Sequence, residues 1–461
     1  MVIVGGGFAG LEAAQALAEE PVEVVVVDRN NHHLFQPLLY QVATAVLSPS
    51  DIAQPIRGIL RKQTNVRVVM AEVVDVDLER QAVVLDKGEL PFDYLIVAAG
   101  SSHAYFGNDQ WEPFAPGLKT LDDALDIRSR ILRAFEEAET TGDPAKRTAL
   151  LTFIVVGGGP TGVELAGSIA EISRHAMVQE FDRIDPSSAR IILVEALDRV
   201  LPPFLEASSA KALEALHELG VETKFGKPVT HIEPGLVRVG DEEIAAETVL
   251  WAAGVKAAPI GQKLGAETDR AGRVKVNPDL SVPGHPNIFV AGDLAALLQP
   301  NGKPVPGVAP AAKQQGKHAA VNVARLVRGE SPVRFKYRDK GNLAIVGRNK
   351  AVAQIGRVRF GGSLAWLAWL TVHLAYLNGF RNRLMAVIDW LLMYLTFRRS
   401  VRLISGLRTR QGFGSPAVAP VAHQALAPPT DAVPTVAAEA AESESESEAE
   451  TVPAATSRTW A

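Results

Sequence analysis

Two nine-residue stretches carry the first chemistry in this chain. They are Val2-Ile3-Val4-Gly5-Gly6-Gly7-Phe8-Ala9-Gly10 and Ile154-Val155-Val156-Gly157-Gly158-Gly159-Pro160-Thr161-Gly162. Each reads as a strand, then G-x-G-x-x-G, then a helix, the pattern that seats a dinucleotide pyrophosphate. Gly5 and Gly157 make the tight turn. Gly7 and Gly159 let backbone approach the phosphates, and Gly10 and Gly162 permit close helix–strand packing. The helix starts, Phe8-Ala9 and Pro160-Thr161, offer partial positive charge and the N–H groups of every residue but Pro160. One such motif alone also occurs as a plain glycine turn in an α/β domain; here the whole context occurs twice.

A dinucleotide site needs an acid at the end of its second strand to take the ribose hydroxyls. Asp28, with Arg29 beside it, closes the run 22–27 and falls 23 positions after Gly5, near the usual spacing of about 20. Glu195 closes the run 191–194, 38 positions after Gly157, the excess being taken up by a longer helix and the polar loop 181–190. Two nucleotide sites in one chain suggest a flavin and a nicotinamide. The N-terminal site is assigned FAD and the internal one NADH. Glu195 accepts from a 2′-hydroxyl and repels a 2′-phosphate, and Ala196, Leu197 and Asp198 follow it, with Arg199 the nearest cation. NADH is therefore expected over NADPH. Gly292-Asp293, at the end of 288–291, places an acid where a flavin ribityl chain could bind; a helix N-cap is the plainer reading. Ala99-Gly100 and Ala253-Gly254 end two further strands that would cross between domains.

These residues need a parallel sheet to hold them. Residues 1–356 alternate β-branched runs, glycine turns and amphipathic helices, which argues α/β architecture with two Rossmann-like dinucleotide-binding domains. The expected boundaries are 1–118 with 276–330 for a discontinuous FAD-binding domain, 119–275 for an NADH-binding domain, and 331–410 for a C-terminal association region. At 461 residues, one core would be too large. The absence of Cys excludes disulfides, Cys-held zinc or iron–sulfur centres and any cysteine nucleophile; no metal site is assigned. A net charge of −5 gives no footprint for nucleic acid. No signal peptide is read at Met1.

Past Arg357 the composition shifts. The apolar stretches 364–377 and 384–397 are joined by Asn378-Gly379-Phe380-Arg381-Asn382-Arg383 and followed by Arg398, Arg399, Arg402, Arg408 and Arg410. Fourteen residues each is short of the ~20 that span a bilayer. Trp366, Trp369, Tyr376, Trp390 and Tyr394 suit an interface, and the arginines suit anionic headgroups. The expectation is a C-terminal amphipathic, membrane-associating helical segment; a dimer interface or buried hairpin is the alternative. Residues 411–461, rich in Ala, Pro, Ser and Glu, are read as a disordered acidic tail.

Taken together, these residues resemble the type II NADH dehydrogenases, single-subunit, non-pumping NADH:quinone oxidoreductases of the two-dinucleotide flavoprotein superfamily. The specific stretches are His32-His33-Leu34-Phe35-Gln36-Pro37-Leu38-Leu39-Tyr40-Gln41-Val42-Ala43, Asp51-Ile52-Ala53-Gln54-Pro55-Ile56-Arg57 and Gly162-Val163-Glu164-Leu165-Ala166-Gly167. The resemblance covers residues 1–410. It implies that Gln41 belongs to the cofactor site and that Glu164 lies near nicotinamide and flavin and relays protons; an acid complementing the helix dipole is the plainer reading. The family's A-Q-x-A-x-Q motif corresponds to Ala309-Pro310-Ala311-Ala312-Lys313-Gln314, with Pro310 replacing the first Gln. Gln314 would lie beside flavin and quinone, and Lys313 would stabilise charge on reduced flavin; a solvated helix face is the plainer reading of both. Lacking thiols, the chain would pass electrons directly to a membrane quinone. A homodimer, peripheral on the cytoplasmic face of the cell membrane, is expected. The alternatives are a soluble reductase of an iron–sulfur carrier and an FAD/NADH-sensing binding protein without turnover.

Overall fold

In the computed structural model the described residues are 1–397, 399 and 401–404. The acidic tail, Arg398, Arg408 and Arg410 lie outside the described residues.

The first sheet has strand order Ser281–Val282, His285–Val290, Leu95–Val97, Val2–Val4, Val24–Asp28, Val66–Met70. Every pairing is parallel except the one between its first two strands. Val2, Ile3 and Val4 are all buried. Unbroken β-branched runs are what a sheet covered on both faces demands. The second sheet repeats the plan, in order Val221–Phe225, Arg190–Glu195, Thr152–Val156, Thr248–Trp251, all parallel. In each, the strand carrying the glycine motif stands between its second and fourth strands, the switch point at which α/β sheets bind ligands.

Each unit also carries a three-stranded antiparallel meander, 73–91 in the first and 229–245 in the second, placed between its third and fourth strands. Ser101–His103 pairs antiparallel with Val255–Ala257, tying the two units together just past their Ala-Ala-Gly turns.

The C-terminal part differs in detail from the expectation. A third antiparallel meander, Asn342–Gly347, Lys350–Ile355 and Val358–Gly361, precedes the apolar stretches. It packs on the second motif's helix so closely that a Cβ at Gly167 would lie 1.8 Å from the Val346 carbonyl oxygen. The helices run Gly362–Tyr376 and Phe380–Thr396. The joint is therefore shorter than the sequence suggested. Gly379 turns at φ +83°, and Arg383, inside the second helix, donates to the Leu377 and Ala375 carbonyls that end the first. At 15 and 17 residues, neither is long and apolar enough to cross a membrane.

The interfacial role expected of Trp369 and Trp390 is corrected: both are buried. Trp369 stacks on His373 with centroids 3.9 Å apart, and Trp390 Nε1 donates to Gln41. The outer face is leucine instead, with Leu364, Leu367, Leu384, Leu391, Leu392 and Leu395 exposed beside Phe380.

Candidate active site

The two glycine motifs are the same object built twice. Gly5 N–H donates to Val27 O and Gly157 N–H to Val194 O, each at 2.7 Å. Both turn at positive φ, +98° and +109°. At Gly5 a Cβ would fall 2.4 Å from Ala98 O, and at Gly157 2.6 Å from Ala252 O. At the third glycine of each, Gly10 and Gly162, it would fall 1.8 Å from the carbonyl of the first. Gly7 and Gly159 instead face open space, with nothing within 4 Å of the added atom. That is the geometry a pyrophosphate requires: closed behind, open in front, with the helix N-terminus alongside.

The acids repeat too. Asp28 Oδ2 accepts from Gly6 N–H at 2.6 Å and Oδ1 from Asn30 N–H at 2.7 Å. Glu195 Oε2 accepts from Gly158 N–H at 2.6 Å and Oε1 from Leu197 N–H at 2.8 Å. Each carboxylate is oriented by two backbone donors and keeps lone pairs for a ribose diol.

A cleft of about 950 Å³ opens over the first motif. It gathers Gly5, Gly7, Phe8, Ala9, Asp28, Arg29, Ala99, Gly100, Gly292 and Asp293 from the expected residues. It also reaches Thr161, in the first turn of the second motif's helix. Gly10 and Gly162 do not line it; they sit behind, as packing glycines. Gly157, Gly159, Pro160, Glu195, Ala253 and Gly254 surround the second switch point. Asp293 caps no helix here: its Oδ2 accepts from Ser101 Oγ at 3.0 Å, with Lys119 Nζ 3.9 Å away. Ser101 and Lys119 both line the cleft; nothing in their local sequence marks them.

Gln41 is placed elsewhere. It is buried, its Nε2 donating to Tyr40 Oη at 3.0 Å and its Oε1 accepting from Trp390 at 2.7 Å. It anchors the C-terminal helix to the nucleotide units and does not line the cleft. Glu164, partly buried, accepts from the backbone of Ile345 in the C-terminal meander. Burial pushes its carboxyl well above the usual carboxylate range, against the opposing pull of the Ile345 N–H. Burial pushes the Tyr40 phenol up as well. Arg399 closes this layer, donating to Thr44 O, Ser168 Oγ and Glu171.

The helix Ala309–Val327 starts beside Gly292. Pro310 occupies its first turn, where a missing N–H costs nothing. Gln314 turns away from the cleft: its amide brackets the Arg338 backbone, donating to Arg338 O and accepting from Arg338 N–H at 3.0 Å each. Its neighbour Gln315, buried, accepts from Gly292 N–H at 2.6 Å. Gln315 shares the face of small residues Ala312, Gly316 and Ala319 that packs on the first motif's helix, and that stripe is the signal that would have singled it out. Lys313 is 3.1 Å from Glu12 and stands over the Tyr376 ring, so its charge is already partnered. His33, part of the 32–43 stretch but given no role by the sequence, is buried beneath the first motif, its Nδ1–H donating to Gly6 O at 2.9 Å.

Residues 1–316 match the pyridine nucleotide-disulphide oxidoreductase family, and residues 340–399 match the NDH2 C-terminal domain. The type II NADH:quinone oxidoreductase Ndh of Mycobacterium tuberculosis is 46% identical over 415 residues, spanning 87% of this chain and 89% of that protein. NdhA of the same organism is 44% identical over 453 residues, spanning 92% and 95%. Among solved structures, NDH2 from Plasmodium falciparum in complex with NADH superposes with a TM-score of 0.78 at 20% identity, covering 88% of this chain and 99% of that one. At that identity the likeness speaks to the fold.

Proposed function

Because the chain belongs to the type II NADH:quinone oxidoreductases, we propose that it carries hydride equivalents from NADH at the second motif, through FAD at the first, to a membrane quinone. The sum is NADH, a proton and quinone giving NAD⁺ and quinol. One observation carries the reading: the cleft built on the first motif is also lined by Thr161 of the second. Two dinucleotides seated on these switch points therefore approach each other.

FAD held in the cleft by Asp28, Gly7 and Asp293 would supply the two-electron redox chemistry. The chain's own part is placement. Asp28 and the open face at Gly7 hold the adenosine and pyrophosphate. Asp293, oriented by Ser101, meets the ribityl chain, and Gln315 fixes the Gly292 turn from behind. Glu195 takes the NADH ribose. Glu164 keeps a proton at its carboxyl above the ordinary carboxylate range, beside the second motif, where a proton consumed by quinone reduction could be supplied. In this reading residues 1–118 and 276–330 serve FAD, 119–275 serve NADH, and 331–410 associate with lipid or a second copy. The exposed leucines of the last two helices are the lipid-facing surface, on the cytoplasmic side where NADH is made. The reaction is taken as not coupled to proton pumping.

The test is stopped-flow spectroscopy on the purified, FAD-loaded chain. NADH bleaches the flavin, and a short-chain quinone restores its colour. Flavin that stays oxidised with NADH refutes the reading, as does bleached flavin that only a protein carrier reoxidises.

A further inference from the structure

Four aromatic rings cluster beside the second switch point. Tyr105, Trp111 and Trp251 are buried, at 2%, 5% and 4% exposure. The fourth, Phe106, is 70% exposed. It stands on left-handed backbone, φ +53°, with Gly107 following at +91°. A bulky residue held there is strained, and such strain persists only where the surroundings impose it. The surroundings are rigid. Trp251 Nε1 donates to Ala104 O at 2.9 Å, Tyr105 Oη to Ala115 O at 2.8 Å, and Ala104 N–H to Gly254 O at 3.2 Å. The fold thus holds one apolar ring out into solvent on a fixed platform.

The ring lies on Gly254. A Cβ there would sit 2.7 Å from the Phe106 Cζ. The internal repeat says what that place is. Gly254 corresponds to Gly100, because Ala252 closes on Gly157 as Ala98 closes on Gly5, and Gly100 lines the first cleft. Glu195 fixes the adenosine ribose at the end of the second strand. A dinucleotide laid across the switch point must then send its other half over the end of the fourth strand, Thr248–Trp251, and the Ala252–Gly254 turn.

We propose that Phe106 is a positioning residue for the dihydronicotinamide half of NADH, its exposed ring against Gly254 forming the aromatic wall that half packs on. This rests on reading the second motif as the NADH site. The ring gains burial only when the nucleotide is present, and its fixed backbone sets the wall without ordering cost.

The test uses the FAD-loaded full chain with Phe106→Ala, Phe106→Gly and Phe106→Tyr. Calorimetric titration with NAD⁺, nicotinamide mononucleotide and AMP reports binding without turnover. For the Ala and Gly variants, NAD⁺ and nicotinamide mononucleotide weaken about tenfold, while AMP stays within about twofold. Phe106→Tyr restores native affinity. Gly tolerates φ +53°, so that variant melts no lower than the native chain, which separates loss of the ring from loss of fold. In turnover, KM for NADH rises and kcat moves little. Unchanged NAD⁺ affinity in Phe106→Ala overturns the proposal while the NADH site stands. Equal weakening of AMP overturns it in favour of a structural role. If the native chain binds neither NAD⁺ nor AMP, the NADH site and the role of Phe106 fall together.

Discussion

Glu195→Gln tests the second site through a single functional group. The carboxylate accepts one backbone N–H on each oxygen, from Gly158 at 2.6 Å and Leu197 at 2.8 Å. An amide can accept only on one side. Its NH₂ must face one of these donors, and the ribose loses a charged acceptor. A hydrogen bond to a charged group is worth about 1.5–3 kcal/mol, so kcat/KM for NADH should fall by roughly 10- to 150-fold. NADPH behaves otherwise, because its 2′-phosphate is repelled by the native carboxylate. The pair is partly solvated, so removing the negative charge returns on the order of 1 kcal/mol, or about fivefold. The preference for NADH over NADPH should therefore shrink by about two orders of magnitude, mostly through KM. Rates of flavin bleaching against each nucleotide measure it directly. Asp28→Asn is the internal control: the same geometry at the first motif predicts weakened FAD retention, with the native nucleotide preference in the fraction that keeps its flavin. If Glu195→Gln keeps its flavin and its native NADH-to-NADPH ratio, the ribose contact is wrongly assigned and the reasoning from the repeat fails with it.

Three further outcomes follow from the geometry. Gly162→Ala places a methyl 1.8 Å from Gly157 O, a backbone atom; it should retain flavin colour yet be bleached by NADH at least about tenfold more slowly, since overpacking of this kind costs about 1–3 kcal/mol locally. His373, whose burial against Trp369 lowers its pKa to about 4, is held neutral in the fold. Its folded pKa lies below the unfolded value, so the stability it lends is present above about pH 6.5 and is lost as pH falls toward 4, about 2 kcal/mol by pH 5. Denaturant melts should show that loss in the native chain and not in His373→Phe. Finally, Leu391→Glu with Leu395→Glu, at side chains 55% and 66% exposed, should weaken binding to lipid vesicles by roughly 10²- to 10³-fold, since each buried leucine contributes about 2 kcal/mol, while flavin bleaching by NADH is unchanged; undiminished vesicle binding places the lipid contact elsewhere.

The glycine turns and their acids were legible because their constraints are local. Gly5, Gly7 and Gly10 obey a spacing set by one turn and one helix, and Asp28 ends a strand whose β-branched run announces it. The residues that sequence misplaced depend on what covers them. The helix Gly362–Tyr376 is apolar on every side, so its pattern could not say that Trp369 faces inward and Leu367 outward. Gln314 and Gln315 are neighbours in sequence, but 100° of helical rotation sends one to Arg338 and the other to Gly292. Phase against a partner helix decided that, and the partner is some 300 positions away in the chain.

Once two units share a frame this closely, their differences mark what each was specialised for. Around the first switch point the departures are polar: His33 beneath Gly6, Ser101 and Lys119 about Asp293, and Gln315 behind Gly292. In the proposed reading they would fasten a ligand along its length, as a resident cofactor requires. Around the second, two departures are apolar and exposed. Leu197 stands where Asn30 stands in the first unit, 55% exposed, and Phe106 covers the counterpart of Gly100. A surface held by one acid and two exposed apolar side chains is suited to a ligand that arrives, reacts and leaves. The same scaffold thus distinguishes a tenant from a visitor by what surrounds the glycines, and exchanging Leu197 for Asn should tighten NAD⁺ less than Phe106→Ala loosens it, since only the ring lies on the reacting half.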